Sequence, residues 1–260
     1  MRLVQISDTH IFNNPEKGEL LGLNTAKSFE AVLSHVKEHS PPEMLMLTGD
    51  LSQDETEDAY RYIAKSLTPF QCPTYWIPGN HDSPELMQKV FAQTHLKEDK
   101  AILWGKWLFI LLNTHYPKHV PGMLGRTELS KLEYYLTQHS TQHTLIFMHH
   151  HPVPAGSKWL DNLALKNTED FFDVVDKYSQ IRGIICGHIH QVLETQRQGI
   201  PILSAPSTCI QFKTHSEHFA LDNLNPGYRW FDLEPDGAFN TAVERVKNFE
   251  NTVDFNSTGY

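Results

Sequence analysis

The chain has 260 residues, of which 40% are hydrophobic and 20% charged, a composition that excludes a disordered or collagen-like protein. Its net charge of −9 argues against a nucleic-acid or acidic-membrane partner, because such partners select basic surfaces. The longest apolar runs, such as Trp107 to Leu112, are too short to cross a bilayer, and Met1 leads directly into an apolar strand pattern, so we expect neither a membrane span nor a signal peptide.

The first part of the chain alternates apolar runs with segments of helical periodicity. Three runs are predicted as strands: residues 2–7, 44–48 and 74–77. Three segments are predicted as helices: residues 25–39, 54–67 and 84–91. Asn24 suits the N-cap of the first helix, Pro41-Pro42 stops it, and Pro84 suits the start of the third.

The rest of the chain adds strands more often than helices. Predicted strands cover residues 101–104, 107–113, 144–148, 181–186, 192–197, 202–204, 228–233 and 242–246. Gly105-Lys106 joins the first two as an antiparallel hairpin. Predicted helices cover residues 127–139 and 168–178. Residues 116–126 form the longest segment without predicted structure, and a loop of that length is more often functional than idle.

Alternating strands and helices followed by two late β-hairpins predict a layered α/β domain. We expect one domain over residues 1–260. Its C-terminal strands, from about residue 192, should pack on the core and shape either the substrate pocket or a dimer contact. The sequence leaves the oligomeric state open, including a homodimer.

Residues able to bind metals follow five predicted strands at the point where each strand ends. The clusters are Asp8-Thr9-His10, Gly49-Asp50, Gly79-Asn80-His81-Asp82, His149-His150 and Gly187-His188-Ile189-His190. Ligands in open α/β sheets gather at the carboxyl ends of strands, so we expect these clusters to converge. Each cluster alone is a weak signal, since a Gly-Asp pair is also ordinary turn chemistry. The ordered set predicts one site.

The residue types in these clusters suit borderline divalent metals. Carboxylate, amide oxygen and imidazole donors accept iron, manganese, zinc or cobalt, and no thiolate is present to favour a structural zinc site. In Asp8-x-His10 and His188-x-His190, alternate residues face one way, so each motif presents two ligands on the same side of an extended strand end. An aspartate at a neighbouring strand end can bridge two ions about 3.5–4 Å apart, which would clamp a phosphoryl oxygen. The glycines before Asp50, Asn80 and His188 allow a tight exit from the strand.

As an ordered set, these motifs resemble those of the calcineurin-like metallophosphoesterase superfamily. The resemblance implies a four-layer α/β/β/α sandwich with two mixed sheets flanked by helices. It implies a first metal held by Asp8, His10 and His190, a second held by Asn80, His149 and His188, and a bridge between them from Asp50. It also implies substrate contacts from His10, Asp50, Asn80, His81 and His190.

Longer stretches are similar to the bacterial class III cyclic nucleotide phosphodiesterases. They include residues 20–25, 49–54, 149–161, 186–191, 205–213 and 226–230. This resemblance implies hydrolysis of 3′,5′-cyclic AMP to 5′-AMP, with attack by a hydroxide that bridges two divalent ions, most often iron or manganese. Asn113 departs from the family, where an aspartate is expected, and residues 114–125 are longer and richer in histidine and proline than expected.

The metal motifs leave other activities open. A related enzyme could act on 2′,3′-cyclic nucleotides, nucleoside diphosphate compounds or phosphomonoesters with the same ions. A non-catalytic scaffold that only binds nucleotide is a weaker alternative, because such proteins usually lose a ligand and all seven positions are filled here. A small cyclic nucleotide is therefore the expected partner.

Several other residues have alternative interpretations. His81 follows a predicted ligand and is our candidate general acid for the leaving oxygen. Asp82 either orients a histidine or stabilises a turn before the next helix. His150 and His151 are expected to be structural, and Trp159 either stacks on a base or packs in the core. Other histidines are expected to face solvent or lie in loops: His35, His39, His95, His139 and His143.

The three cysteines are widely spaced and form no CxxC motif. Cys72, Cys186 and Cys209 are therefore expected to be free thiols. Free thiols are typical of a reducing compartment, so we expect a cytoplasmic protein.

Overall fold

A computed structural model describes residues 1–259 of the chain. Its helices are α1 (Thr25–His39), α2 (Glu57–Leu67), α3 (Pro84–Phe91), α4 (Arg126–Gln138), α5 (Lys158–Asp161) and α6 (Thr168–Val175). Its strands are β1 (Arg2–Ile6), β2 (Glu19–Leu20), β3 (Leu23–Asn24), β4 (Met44–Thr48), β5 (Thr74–Ile77), β6 (Leu96–Lys97), β7 (Ala101–Trp104), β8 (Trp107–Leu111), β9 (His143–Phe147), β10 (Ile181–Cys186), β11 (Glu194–Arg197), β12 (Ile200–Ser204), β13 (Gln211–Phe212), β14 (Leu221–Asp222), β15 (Gly227–Leu233) and β16 (Phe239–Arg245).

Two six-stranded mixed sheets form the centre of the molecule. The first has the order β16-β15-β1-β4-β5-β6 and the second the order β11-β12-β10-β9-β8-β7. In the first sheet β1, β4, β5 and β6 run parallel, and in the second β8, β9, β10 and β12 do so. The late hairpins β11–β12 and β15–β16 each extend one sheet by antiparallel pairing.

The central strands are apolar at nearly every position because both of their faces are covered. In β4, Met44 and Met46 pack between the two sheets, whereas Leu45 and Leu47 pack against the helices outside. This alternation is the two-residue period of a strand. The intersheet core continues with Phe109 and other side chains of the second sheet.

Helices cover the outer face of each sheet. Phe29 and Val32 of α1 and Ile63 of α2 pack on the first sheet, while Leu132 of α4 and Phe171 of α6 pack on the second. The predicted α/β/β/α sandwich is therefore confirmed. Among the described residues, no helix combines the length and apolar character needed to span a bilayer.

Helix boundaries follow local side-chain chemistry. The Asn24 side chain accepts the amide proton of Lys27, as predicted for the N-cap of α1. The prediction that α2 begins at Asp54 was wrong by three residues, because Ser52, Asp54 and Thr56 bond to one another in a turn and Thr56 caps the helix. Likewise, α6 ends at Val175 rather than at residue 178.

The expectation that His35 faces solvent or lies in a loop was wrong. His35 lies within α1, is only 8% exposed, and its Nδ1 lies 3.1 Å from the Tyr228 hydroxyl. Tyr228 comes from β15, far along the chain, so helical periodicity near residue 35 carried no sign of this contact.

Candidate metal centre

The five predicted clusters meet where the two sheets adjoin. Strands β1, β4 and β5 of the first sheet end next to β9 and β10 of the second, with parallel neighbours in each sheet ending at the same edge. Six of the predicted ligands are at most 5% exposed, and Asn80 is half-buried: Asp8, His10, Asp50, His149, His188 and His190 are the buried six. The convergence expected from strand order is thus observed.

The backbone at this centre is unusual. Five predicted ligands have φ between 46° and 69°, in the left-handed region: Asp8, His10, Asp50, His188 and His190. Non-glycine residues adopt this conformation rarely, although aspartate and histidine do so more often than most. Each such residue costs about 1–3 kcal/mol and persists only where the surroundings impose it. The left-handed turns redirect these side chains at the strand ends.

Two glycines permit the close approach of neighbouring segments. A Cβ atom on Gly79 would lie 2.2 Å from Asp50 Oδ1. Gly49 has φ of +92°, and a Cβ there would lie 2.5 Å from His149 Nδ1. Any larger residue at either position would displace a predicted ligand.

Asp8, His10 and His190 form one side of the centre. His10 Nδ1 donates to Gln53 Oε1 at 2.6 Å, and His190 Nδ1 donates to the Ile210 carbonyl at 2.9 Å. Because each Nδ1 atom donates its proton in these bonds, the lone pair of the neutral ring lies on Nε2. The two Nε2 atoms lie 3.1 Å apart, and His190 Nε2 lies 3.5 Å from Asp8 Oδ1. Facing lone pairs repel unless a cation lies between them, so this side fits a metal ion.

Asn80, His149 and His188 form the other side. His149 Nδ1 donates to the Thr48 carbonyl at 2.7 Å, so the other ring nitrogen, Nε2, faces the centre. Asn80 Oδ1 and both ring nitrogens of His188 are buried and make no hydrogen bond, and His149 Nε2 faces the Asp50 carboxylate. Buried polar atoms without partners are rare and need an explanation, and a bound cation supplies one.

Asp50 lies between the two sides. Its Oδ2 is 3.2 Å from His149 Nε2 and 3.9 Å from His10 Nε2, while its Oδ1 accepts the amide proton of His81 at 2.8 Å. Its carboxylate comes within 4.8 Å of ligand atoms from both sides, namely Asp8 and His10 on the first side and His149 on the second. This is the position that a bridging ligand requires.

The electrostatics of the centre favour the deprotonated forms of His10, His188 and Asp50. Burial lowers the pKa of His10 to about 3, and burial with the neighbouring His150 and His149 keeps the pKa of His188 well below its usual value. Burial raises the pKa of Asp50, but the nearby His149 and His81 outweigh it and hold that pKa well below its usual range. The neutral imidazoles of His10 and His188 are therefore ready to bind a cation without first losing a proton.

The pKa of His149 shifts in the opposite direction. Burial lowers its pKa, but the adjoining Asp50 carboxylate outweighs burial and raises the pKa to about 9. The proton on Nε2 then occupies the place between imidazole and carboxylate that a metal ion would take.

His150 and His151 differ although both are buried. The His150 ring comes within reach of His149 and His188, but its Nδ1 lies 2.7 Å from the Thr114 hydroxyl and its Nε2 donates to the Val120 carbonyl at 2.9 Å. The predicted structural role of His150 fits this geometry. His151 stacks on His188 with 5.8 Å between ring centroids, and neither of its ring nitrogens has a hydrogen-bond partner.

The two residues after Asn80 take separate positions. The His81 ring lies 5.1 Å from the His10 ring, at the border of the centre. The Asp82 carboxylate is buried and accepts amide protons from Gly79, Leu51 and Ser52. Of the two interpretations of Asp82, the turn-stabilising one agrees with these contacts, although the cap of α3 is Ser83.

Three supporting contacts were not predicted from the sequence. Gln53 and the Ile210 carbonyl fix the rings of His10 and His190. The Cys209 sulfur lies within 4.8 Å of ligand atoms of both histidines, but burial raises the pKa of its thiol to about 12, so it remains protonated. Only the closeness of Gln53 to Asp50 in sequence could have signalled its role.

Trp159 packs beside the centre rather than in it. Its ring meets Phe212 and Phe219 edge-on, at 5.0 and 5.2 Å between centroids. Phe212 in turn stacks on His190 at 4.3 Å. This contact chain agrees with the packing interpretation of Trp159.

Comparison with known proteins identifies the class that this fold and site define. The family model of calcineurin-like phosphoesterases matches residues 1–192. The chain therefore belongs to the calcineurin-like phosphoesterase family.

Curated relatives are similar over the whole chain. The 3′,5′-cyclic adenosine monophosphate phosphodiesterase CpdA of Vibrio vulnificus is 37% identical, covering 100% of this chain and 95% of the relative. CpdA of Pseudomonas aeruginosa is 39% identical, covering 99% and 94%. The 3′,5′-cyclic-nucleotide phosphodiesterase alr5338 of Nostoc is 38% identical, covering 94% and 92%.

Solved structures share the fold at low identity. A dimetal phosphatase from Danio rerio superposes with a TM-score of 0.65 at 15% identity, covering 95% of this chain and 99% of its own. A purple acid phosphatase from yellow lupin seeds gives a TM-score of 0.67 at 15% identity, covering 98% and 52%. Both similarities support the fold alone.

Proposed function

We propose that this protein is a metal-dependent phosphodiesterase that hydrolyses 3′,5′-cyclic AMP to 5′-AMP. The observation that carries the proposal is full-length similarity to cyclic nucleotide phosphodiesterases at 37–39% identity. That similarity continues through the C-terminal strands, beyond residue 192, where the general family model ends. Motifs shared by all family members cannot account for it.

The residues of the centre divide naturally between two divalent ions. Asp8, His10 and His190 would hold one ion, Asn80, His149 and His188 the other, and Asp50 both. The facing Nε2 atoms of His10 and His190 and the unpartnered atoms on the other side support this division. When bound, such a pair polarises phosphoryl oxygens and lowers the pKa of a nearby water.

Iron and manganese are our first candidates for these ions, with zinc or cobalt as alternatives. Nitrogen and oxygen donors suit all four metals, and the raised pKa of Cys209 argues against a thiolate ligand. Metal analysis of protein purified without added metal tests this assignment. A magnesium-only preparation with full activity would contradict it.

His81 is the proposed proton donor to the leaving 3′-oxygen. The hydrogen bond from its backbone amide to Asp50 and the contact of its ring with the His10 ring support this role. A half-buried imidazole at this border can reach both substrate and solvent, so it can be reprotonated after each turnover. Asp82 bonds to backbone amides rather than to this ring, so it supports the turn and not the proton transfer.

A substrate panel tests the proposed activity. Steady-state kinetics in Mn²⁺ should compare 3′,5′-cyclic AMP with bis-p-nitrophenyl phosphate and ADP-ribose. We expect kcat/KM for cyclic AMP to exceed that for the generic diester by at least about tenfold, since only the nucleotide gains contacts outside the phosphate. Equal turnover of cyclic AMP and the generic diester would overturn the assignment in favour of a broader phosphoesterase.

Three further features belong to the proposal. We place the protein in the cytoplasm, supported by free thiols at Cys72, Cys186 and Cys209. We treat residues 1–260 as one domain, since both sheets supply residues to one centre. We expect a small nucleotide rather than a nucleic acid as partner, given the net charge of −9. Cell fractionation that recovers the protein outside the cytoplasm would contradict the first of these.

A further inference from the structure

A cleft opens beside the candidate metal centre, next to Asn80 and His81. Its volume is about 340 Å³, within the range of roughly 300–1,000 Å³ typical of small-molecule sites. Glu55 and residues 80–85 line it, and a second segment of the chain, His115 with residues 117–120, forms the rest of its wall. A nucleotide whose phosphate lay at the centre would therefore have room for its nucleoside here.

The wall that carries His115 is fixed in place by hydrogen bonds. The His115 amide donates to Asn113 Oδ1 at 2.8 Å, so Asn113 forms a local turn. The Thr114 hydroxyl lies 2.7 Å from one nitrogen of the His150 ring, and the other nitrogen of that ring donates to the Val120 carbonyl at 2.9 Å. Since His150 is fully buried, it ties both ends of this wall to the core.

Hydrogen bonding also determines the chemistry that His115 offers. Its Nδ1 lies 2.9 Å from the Gly79 carbonyl oxygen. A carbonyl oxygen only accepts, so Nδ1 carries the proton and Nε2 of the neutral ring is a hydrogen-bond acceptor. Gly79 directly precedes Asn80, so this contact places the ring against the segment that joins the cleft to the metal centre.

We propose that His115 is a specificity-determining residue that accepts a hydrogen bond from the nucleoside of the substrate. This inference rests on the proposed function and names the group that distinguishes a nucleotide from a generic diester. Cyclic AMP carries two donors outside its phosphate, the ribose 2′-hydroxyl and the amino group of adenine. Bis-p-nitrophenyl phosphate carries neither donor.

Substitution at His115 tests the proposal through a ratio of activities. His115→Leu keeps similar bulk and removes the acceptor, whereas in His115→Gln the amide nitrogen can bond to Gly79 while the amide oxygen accepts. We expect His115→Leu to lower the ratio of kcat/KM for cyclic AMP to that for bis-p-nitrophenyl phosphate about tenfold, the effect of one lost hydrogen bond. His115→Gln should stay within about threefold of wild type, and the exposed His95→Leu serves as control.

Two analogues identify the donor. 2′-Deoxy-cyclic AMP lacks the hydroxyl, and cyclic IMP has an oxo group in place of the amino group. The analogue that lacks the relevant donor should show equal ratios in wild type and His115→Leu, since a double-mutant cycle loses its coupling when one partner is absent. Binding of 5′-AMP, followed by titration calorimetry, should weaken in His115→Leu by the same factor and provides a readout independent of turnover.

The outcomes separate this inference from the function on which it rests. Equal use of cyclic AMP and the generic diester by the wild-type protein would refute the proposed function before any variant is compared. If wild type prefers cyclic AMP but His115→Leu has the same ratio, the inference fails alone. It also fails if His115→Gln is as impaired as His115→Leu at an equal melting temperature, or if both analogues remain sensitive to His115→Leu.

Discussion

The two sides of the metal centre are built differently. On the side of Asp8, both histidine rings are anchored through Nδ1, to Gln53 and to Ile210, and His190 is also stacked on Phe212. On the side of Asn80, only His149 has such an anchor, and the His188 ring and the Asn80 amide oxygen have no hydrogen-bond partner.

This difference separates a pre-organised site from one that depends on its ion. Outer hydrogen bonds fix the tautomer and orientation of metal-binding histidines and so raise affinity. Where they are missing, the ion must order the side chains itself, which costs conformational entropy. The anchored side should therefore bind its ion more tightly than the side that holds His188.

The largest effect is expected for Asp50, which belongs to both sides. Asp50→Ala should lower kcat at least about 1,000-fold in Mn²⁺. Two bound metal ions contribute several kcal/mol of charge stabilisation to the transition state, and this variant would lose the ligand that they share. Steady-state kinetics should show the loss of kcat, and metal analysis should show a matching loss of bound metal. The exposed Asp99→Ala is the matched control, and more than a tenth of wild-type activity in Asp50→Ala would contradict a shared ligand.

Removing an anchor should convert the ordered side into a weaker one. Gln53→Leu leaves every proposed ligand in place but frees His10 Nδ1, so we expect a 10- to 100-fold loss of affinity for one ion. Titration of the metal-free protein with Mn²⁺ measures it. Gln93→Leu, at an exposed position, controls for the substitution itself. Unchanged affinity in Gln53→Leu would show that the anchor has no role in binding.

Gradual metal removal compares the two sides within one molecule. We expect a chelator to release the two ions in separate steps, with dissociation constants about tenfold apart, because one side lacks the anchors. Competition with a chromophoric chelator gives both constants. His188→Ala should abolish binding of the weakly bound ion and keep the tightly bound one. Loss of the tighter step instead would reverse the assignment of the two sides.

The smallest effect is expected for His150, the buried histidine whose nitrogens are both engaged. His150→Gln should still bind two ions per chain, while losing about 1–3 kcal/mol of folding free energy through disturbed buried hydrogen bonds. Metal analysis tests the number of bound ions, and denaturant unfolding tests the loss of folding free energy. One bound ion per chain in His150→Gln would show instead that His150 is a metal ligand.

Much of the fold could be predicted because its strands are buried on both faces. The apolar runs at β4, β5 and β10 were predicted with the bounds that the structure gives. Boundaries moved where side chains compete with the backbone, as in the turn before α2. The contact between His35 and Tyr228 spans 193 positions, and no local pattern reports such a contact.

The same limit applies to the site. Strand order brings the predicted ligands together, since parallel strands end at one edge. The anchors came from elsewhere: the Ile210 carbonyl lies 20 positions after His190, and Gln53 lies 43 positions after His10. Nor could the sequence show that His150 is engaged at both nitrogens, because Thr114 and Val120 reach it from a segment predicted as loop.

One centre is proposed to hold two ions through seven residues. Anomalous diffraction from crystals of Mn²⁺-loaded protein tests it most directly. We expect two peaks per chain, one among Asp8, His10 and His190 and one among Asn80, His149 and His188, with Asp50 touching both. A single peak, or a peak coordinated by His150 in place of His188, would contradict the claim.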